Sequence, residues 1–118
     1  MDLVGLTTDV PVIQLDRSRL FYEAVLGRPA DLAPDEHMLE WILHRDLEIA
    51  VRLVQWVPPG AVRLGLGVAD LEAERTRQIR TLTKVPASTR RPGVIAVLEL
   101  IDPDRNKIIL WQDLLPRA

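Results

Sequence analysis

Residues 94–112, VIAVLELIDPDRNKIILWQ, constrain the fold more than any other stretch of the chain. A largely apolar run over 94–101 breaks at Asp102-Pro103-Asp104-Arg105-Asn106, and a second apolar run over 108–111 follows at once. Proline fixes its own φ, and aspartate and asparagine take up turn conformations readily. The stretch therefore predicts a β-hairpin with a tight loop.

The N-terminal half shows the same period. Leu6, Thr8, Val10 and Val12 alternate with Thr7, Asp9 and Pro11, as in a half-buried strand. Pro11 cannot donate to a ladder and marks an edge or a strand exit. Asp16 is expected to cap a helix that places Leu20, Phe21, Ala24 and Val25 on one face and stops at Gly27. Residues 28–36 hold two prolines and predict a loop with at most a short strand. Two alternating runs follow, 37–44 and 47–56, joined by a turn at Arg45-Asp46. In the first, Leu39, Trp41 and Leu43 oppose Met38, Glu40, Ile42 and His44. In the second, Leu47, Ile49, Val51 and Leu53 oppose Glu48, Ala50 and Arg52.

Pro58-Pro59-Gly60 reads as the one linker, and the order of elements then repeats. Leu64, Leu66 and Val68 alternate with Arg63, Gly65 and Gly67. Asp70 is placed to cap a helix running to about Thr83, anchored by Leu71, Ile79 and Leu82. A polar stretch over 84–91 and a Pro92-Gly93 turn lead into the closing hairpin. Aligning Leu15 with Leu71 gives an internal offset of 56 residues. The pattern predicts an α+β fold of two βαβββ modules within a single domain, 1–118, with module limits near 1–57 and 61–118.

Composition bounds the function. At 118 residues, with 47% hydrophobic and 27% charged side chains, the chain has the balance of a soluble globular domain. A net charge of −2 with no concentrated basic block predicts no nucleic-acid partner. The absence of cysteine excludes disulfides, thiolate nucleophiles and Cys-ligated zinc. No apolar run approaches the ~20 residues of a membrane helix, and residues 1–9 lack the pattern of a signal peptide, so a cytoplasmic location with no membrane partner is expected. There is no Ser/His/Asp arrangement, phosphate loop or zinc-protease helix motif.

The repeat, the segment LDRSRLFYEAVLG and the DPDRN hairpin together resemble the vicinal oxygen chelate superfamily, which contains glyoxalase I, extradiol dioxygenases and bleomycin-binding proteins. Leu15, Ser18, Phe21, Tyr22, Val25, Leu26 and Gly27 match the family's DLERSLAFYRDVLG pattern, and DPDRN departs from its DPDGN turn only at Arg105. The resemblance implies two βαβββ modules whose curved sheets form an open cleft. In metal-dependent members that cleft holds a divalent cation on side chains of the first and last strand of each module. Carried over, those positions fall on Thr7, Glu48, Arg63 and Ile109. Only Glu48 is an anionic ligand; arginine keeps its proton and isoleucine has no donor atom. Divalent cations need several oxygen or nitrogen donors, so no metal and no cofactor are expected. A turn one residue longer at Arg45-Asp46 would put Ile49 in place of Glu48.

The greasy faces of the strands are needed to pack the helices, which assigns the mixed faces to the cleft. The candidate ligand-binding residues are Thr7, Asp9, His44, Glu48, Arg52, Arg63, Glu99, Ile109 and Trp111, with Glu40, Ile42 and Lys107 on the same faces. Gly65 and Gly67 are expected to leave room for a ligand. Arg63 can anchor a carboxylate or phosphate through its planar fork, although Arg63, Arg52, Glu48 and Asp9 also fit as ion pairs on a solvated face. Trp111 is the candidate for meeting a flat ligand, whereas Trp41 reads as core. His44 fits an exposed hairpin position better than a displaced metal site with Glu48 and Asp9 or Glu99. These readings lead to the expectation of a metal-free protein, not an enzyme in the family's sense, that binds a small organic molecule of anionic or aromatic character as a homodimer. The alternative is a divalent-metal-dependent lyase, isomerase or dioxygenase with Glu48 as base.

Overall fold

A computed structural model of the protein describes residues 6–55, 62–82 and 84–115. The chain divides between Val62 and Arg63 into two compact units. The expected Pro58-Pro59-Gly60 linker lies outside the described residues.

The first unit runs β1 (Leu6–Val12), α1 (Leu15–Leu26), β2 (Leu32–Asp35), β3 (Met38–His44) and β4 (Ile49–Gln55). The second runs β5 (Arg63–Gly67), α2 (Leu71–Thr81), β6 (Thr89–Arg91), β7 (Ile95–Ile101) and β8 (Lys107–Asp113). Each unit is a βαβββ module whose last strand lies beside its first, giving sheet orders β1-β4-β3-β2 and β5-β8-β7-β6. The β1/β4 and β5/β8 pairs are parallel, and the others are antiparallel. A parallel neighbour requires a crossover, which the helix supplies. Among the described residues no helix is long and apolar enough to cross a membrane.

One face of each sheet packs on its helix. In the first unit Val10, Val12, Trp41, Val51 and Leu53 are buried with Tyr22 and Val25 of α1. Trp41 donates its indole N–H to the Arg28 carbonyl at 2.9 Å, and its ring lies 6.3 Å from that of Tyr22, so the largest core residue is both packed and satisfied. In the second unit Leu64, Ala96, Leu98, Leu100, Ile108 and Leu110 are buried with Leu71 of α2.

The helices depart from expectation in detail. α1 starts after Gln14, whose side chain makes no capping bond, and Asp16 sits in the first turn, where its charge meets the positive end of the helix dipole. Its buried face is Ser18, Tyr22 and Val25, while Leu20 is 63% exposed. Spacings of four and three residues put those three side chains on one stripe, and Leu20 falls outside it. Gly27 ends α1 as expected, at φ 79°, with its N–H donated to the Glu23 carbonyl. Asp70 caps α2 through the Ala73 N–H, also as expected. α2 nevertheless stops at Thr81 and buries Leu71 and Gln78, leaving Ile79 half exposed and Leu82 in the extended cap position.

The closing hairpin rests on one buried carboxylate. Asp102 Oδ1 accepts the backbone N–H groups of Asp104 and Asn106, both at 2.8 Å, and Oδ2 accepts from Asn106 Nδ2 at 2.7 Å. Asp102 and Asn106 are buried, so these bonds replace solvent that neither residue can reach. Arg105 holds φ 68°, the left-handed region that glycine occupies without strain. Replacing Arg105 with glycine is expected to raise stability by about 0.5–1 kcal/mol. Urea denaturation of R105G reads this directly, and an unchanged or lower midpoint would refute strain at that position.

Candidate functional site

The sheet faces turned away from the helices carry the candidate residues in matched rows. Strand register sets Thr7, Ala50 and Ile42 side by side in the first sheet, followed by Asp9, Arg52 and Glu40. The corresponding rows of the second sheet are Arg63, Lys107 and Ile101, then Gly65, Ile109 and Glu99, then Gly67, Trp111 and Val97. First-strand residues correspond at the expected offset of 56 (63 − 7), and last-strand residues at 57 (107 − 50).

This register corrects the position given to Glu48. The hairpin turn occupies residues 45–48 instead of Arg45-Asp46 alone, β4 begins at Ile49, and Glu48 takes a left-handed φ of 48° before the strand. Neither Glu48 nor Ile49 lies opposite Thr7; Ala50 does. The residue related to Ile109 is Arg52, which pairs with Asp9 as Ile109 pairs with Gly65. Alternation assigned the faces of Ala50 and Arg52 correctly but could not detect that Glu48, at its left-handed φ, belongs to the turn and not to the strand.

Glu48 still reaches the helix-free face from the turn. With Thr7, Glu40, Ile42, Arg45 and Ala50 it lines an open recess of about 300 Å³. Arg45 was not anticipated there, whereas Ala50 lies on the face it shares with Arg52, as the alternation predicts. Beside the recess, the Arg52 guanidinium lies in a bidentate pair with Asp9, Nε to Oδ1 at 2.7 Å and Nη2 to Oδ2 at 3.1 Å, with Glu40 at 3.9 Å. The hydrogen bonds it donates to Asp9, with the charges of Asp9 and Glu40, hold the guanidinium above its ordinary pKa despite partial desolvation. Arg52 is therefore committed to carboxylates of its own sheet. His44 stands apart at the hairpin end, exposed, with Nδ1 accepting the Leu47 N–H at 3.2 Å.

A divalent cation does not fit these side chains. The positions implied by the resemblance, on the observed register, are Thr7, Arg52, Arg63 and Ile109. Arg63 also lies directly opposite Lys107, so cationic groups stand where ligands are required. Among the described residues no group of three or more His, Asp or Glu is placed to hold a metal ion, which also removes the displaced arrangement around His44.

The second sheet differs in character. Lys107 lies 3.7 Å from Glu99, and Arg63 is exposed with no carboxylate partner among the described residues. Glu99 and Ile101 line a second open recess, about 700 Å³, with Lys84, Val85 and Pro86. That wall is held to α2 by Arg75 Nε donating to the Pro86 carbonyl at 2.9 Å and Ser88 Oγ donating to Glu72 at 2.7 Å. Sequence reading saw only a polar loop there, because nothing local encodes a tether to a helix.

The glycines do not leave an empty wall. A Cβ on Gly67 would lie 2.7 Å from Cζ2 of Trp111, and one on Gly65 would lie 3.6 Å from its Nε1, so the indole covers this part of β5. Trp111 remains 39% exposed, presenting the rest of its surface on the helix-free face. Gly67→Ala is expected to displace the indole, shifting tryptophan emission and costing about 1–3 kcal/mol, whereas Gly65→Ala meets an ordinary contact and should do neither. An unchanged emission spectrum in G67A would show that the indole does not rest there.

No family model and no curated protein matches the sequence. Solved structures do. A glyoxalase/bleomycin resistance protein from Catenulispora acidiphila is 19% identical with a TM-score of 0.83, over 92% of this chain and 97% of that one. A lactoylglutathione lyase from Agrobacterium tumefaciens is 17% identical with a TM-score of 0.73, over 91% of each chain. An antibiotic binding protein from a Streptomyces species is 27% identical with a TM-score of 0.71, over 92% of this chain and 94% of that one. Two four-stranded sheets with one helix each, in the same strand order, together with these neighbours give this chain the glyoxalase/bleomycin resistance fold.

Proposed function

We propose that the protein binds a small organic molecule on the helix-free sheet faces without a metal ion. The observation that carries this reading is the side-chain set at the positions the superfamily uses for its cation: a threonine, two arginines and an isoleucine, with one of the arginines already clamped by Asp9. Such a set can grip a ligand but cannot polarise it as a coordinated cation would. The likeness to an antibiotic binding protein supports a sequestering role. Concave recesses lined by mixed polar and apolar side chains are of a size that small ligands use.

The test is a thermal-shift screen against antibiotics and aromatic acids, run beside calorimetric titration with Mn²⁺, Ni²⁺ and Zn²⁺. A true ligand at a hundred times its Kd stabilises by about 2.7 kcal/mol, a Tm rise on the order of 10 °C, while the metals give no stoichiometric heat. One divalent ion bound per chain would restore the lyase, isomerase or dioxygenase reading and end this one.

The proposal extends to a cytoplasmic homodimer. Leu6 on the edge strand β1 and Leu32 on the edge strand β2 are 63% and 48% exposed, apolar surface that a second copy would cover. Sedimentation equilibrium is expected to return twice the chain mass at micromolar concentration; a monomer there rules the dimer out.

A further inference from the structure

From the layout of the second sheet we infer the class of ligand: an elongated, flat aromatic molecule carrying one terminal carboxylate. The inference rests on the metal-free binding reading and adds polarity and direction to it.

Three rows of the helix-free face carry the argument. The first holds Arg63 and Lys107 with Ile101, the second Gly65 and Ile109 with Glu99, the third Gly67 and Trp111 with Val97. The cations stand at one end of the face, the middle row carries Gly65 and Ile109 with Glu99 3.7 Å from Lys107, and the other end is apolar. Lys107 is partly neutralised by Glu99 at 3.7 Å, whereas Arg63 has no carboxylate partner among the described residues. An exposed guanidinium presents a planar fork that matches a carboxylate bidentately. From there the face offers the Ile109 side chain and then the indole of Trp111, seated on Gly67 and still open on its outer side. A flat ring gains both hydrophobic burial and stacking on such a surface.

Dimensions follow from strand geometry. Residues 107 and 111 are four apart on β8, so the charged and indole rows are separated by roughly 13 Å. A ligand that meets both must be about two aromatic rings long. The strands of the first sheet offer no equivalent: Arg52 is held by Asp9 and Glu40, Arg45 belongs to the turn beside Glu48, and no aromatic side chain lies opposite Arg52 on β1 or β3.

Biphenyl-4-carboxylate is the probe, with biphenyl-4-carboxamide and the cationic biphenyl-4-methylamine as counterparts of the same shape. Affinities come from calorimetry, with quenching of tryptophan emission as a second readout. The carboxylate is expected to bind at least tenfold more tightly than the amide and more tightly still than the amine. Arg63→Gln should remove that preference while leaving amide binding unchanged, Trp111→Leu should weaken both, and Arg80→Gln, which removes an exposed cation in the last turn of α2, should alter neither. Equal affinity for all three probes, or a carboxylate preference that survives in R63Q, overturns the assignment of ligand class and leaves metal-free binding standing. Failure of all three probes beside a hit of another chemistry in the wider screen has the same meaning. Failure of every compound in both experiments removes both readings.

Discussion

Each four-stranded sheet has one helix to pack against, and that shortage governs the molecule. A sheet has two faces, and the apolar side chains of every strand are drawn to the covered one. A strand alternates with a period of two, so every residue between them is forced onto the uncovered face. Burial of Val10, Val12, Trp41, Val51 and Leu53 thereby places Asp9, Glu40 and Arg52 where they are, as burial of Leu64, Leu98, Ile108 and Leu110 places Arg63, Lys107 and Trp111. The chemistry of the bare faces is a consequence of core packing, not an independent arrangement.

The parallel pairing of first and last strands adds the second constraint. Because the helix crosses over the sheet, β4 returns beside β1, and β8 beside β5. Residues more than 40 positions apart become row neighbours, which is how Asp9 reaches Arg52. The three-bond Asp102 turn matters for the same reason. It fixes where β8 starts, and a slip of one residue would exchange Ile108 and Leu110 for Ile109 and Trp111 on the helix side.

Much of this was legible in the sequence, and the failures share a cause. The alternation of apolar residues, the Asp70 cap, the Gly27 stop and the Asp102 turn are local signals, and each appears where it was expected. The departures all depend on three-dimensional context. The helix face of α1 includes Ser18 and omits Leu20 because helix rotation is set by what the sheet presents, not by hydrophobicity alone. Glu48 was placed in the strand because nothing in the alternation marks the longer turn that its left-handed φ closes. Gly65 and Gly67 looked like an empty wall because the indole that fills it comes from residue 111, on another strand. Among the candidate site residues, faces were therefore readable and partners were not.

Comparison of the repeated rows shows how one backbone plan yields two unlike surfaces. The row Asp9, Arg52, Glu40 corresponds to Gly65, Ile109, Glu99, and the row Thr7, Ala50, Ile42 to Arg63, Lys107, Ile101. In the first module the cation lies between two carboxylates and its electrostatic demand is met inside the sheet. In the second the cations have moved one row toward the strand start, and glycine and isoleucine occupy the centre. Exposed ion pairs contribute little to stability, so neither arrangement is required to hold its sheet together. What the difference does alter is availability. A guanidinium that already has its carboxylate must surrender that bond to accept another, whereas Arg63 has no carboxylate partner among the described residues. The same residue type on two copies of one scaffold thus has opposite capacities, and the neighbour across the strand, Asp9 in one case and Lys107 in the other, decides which.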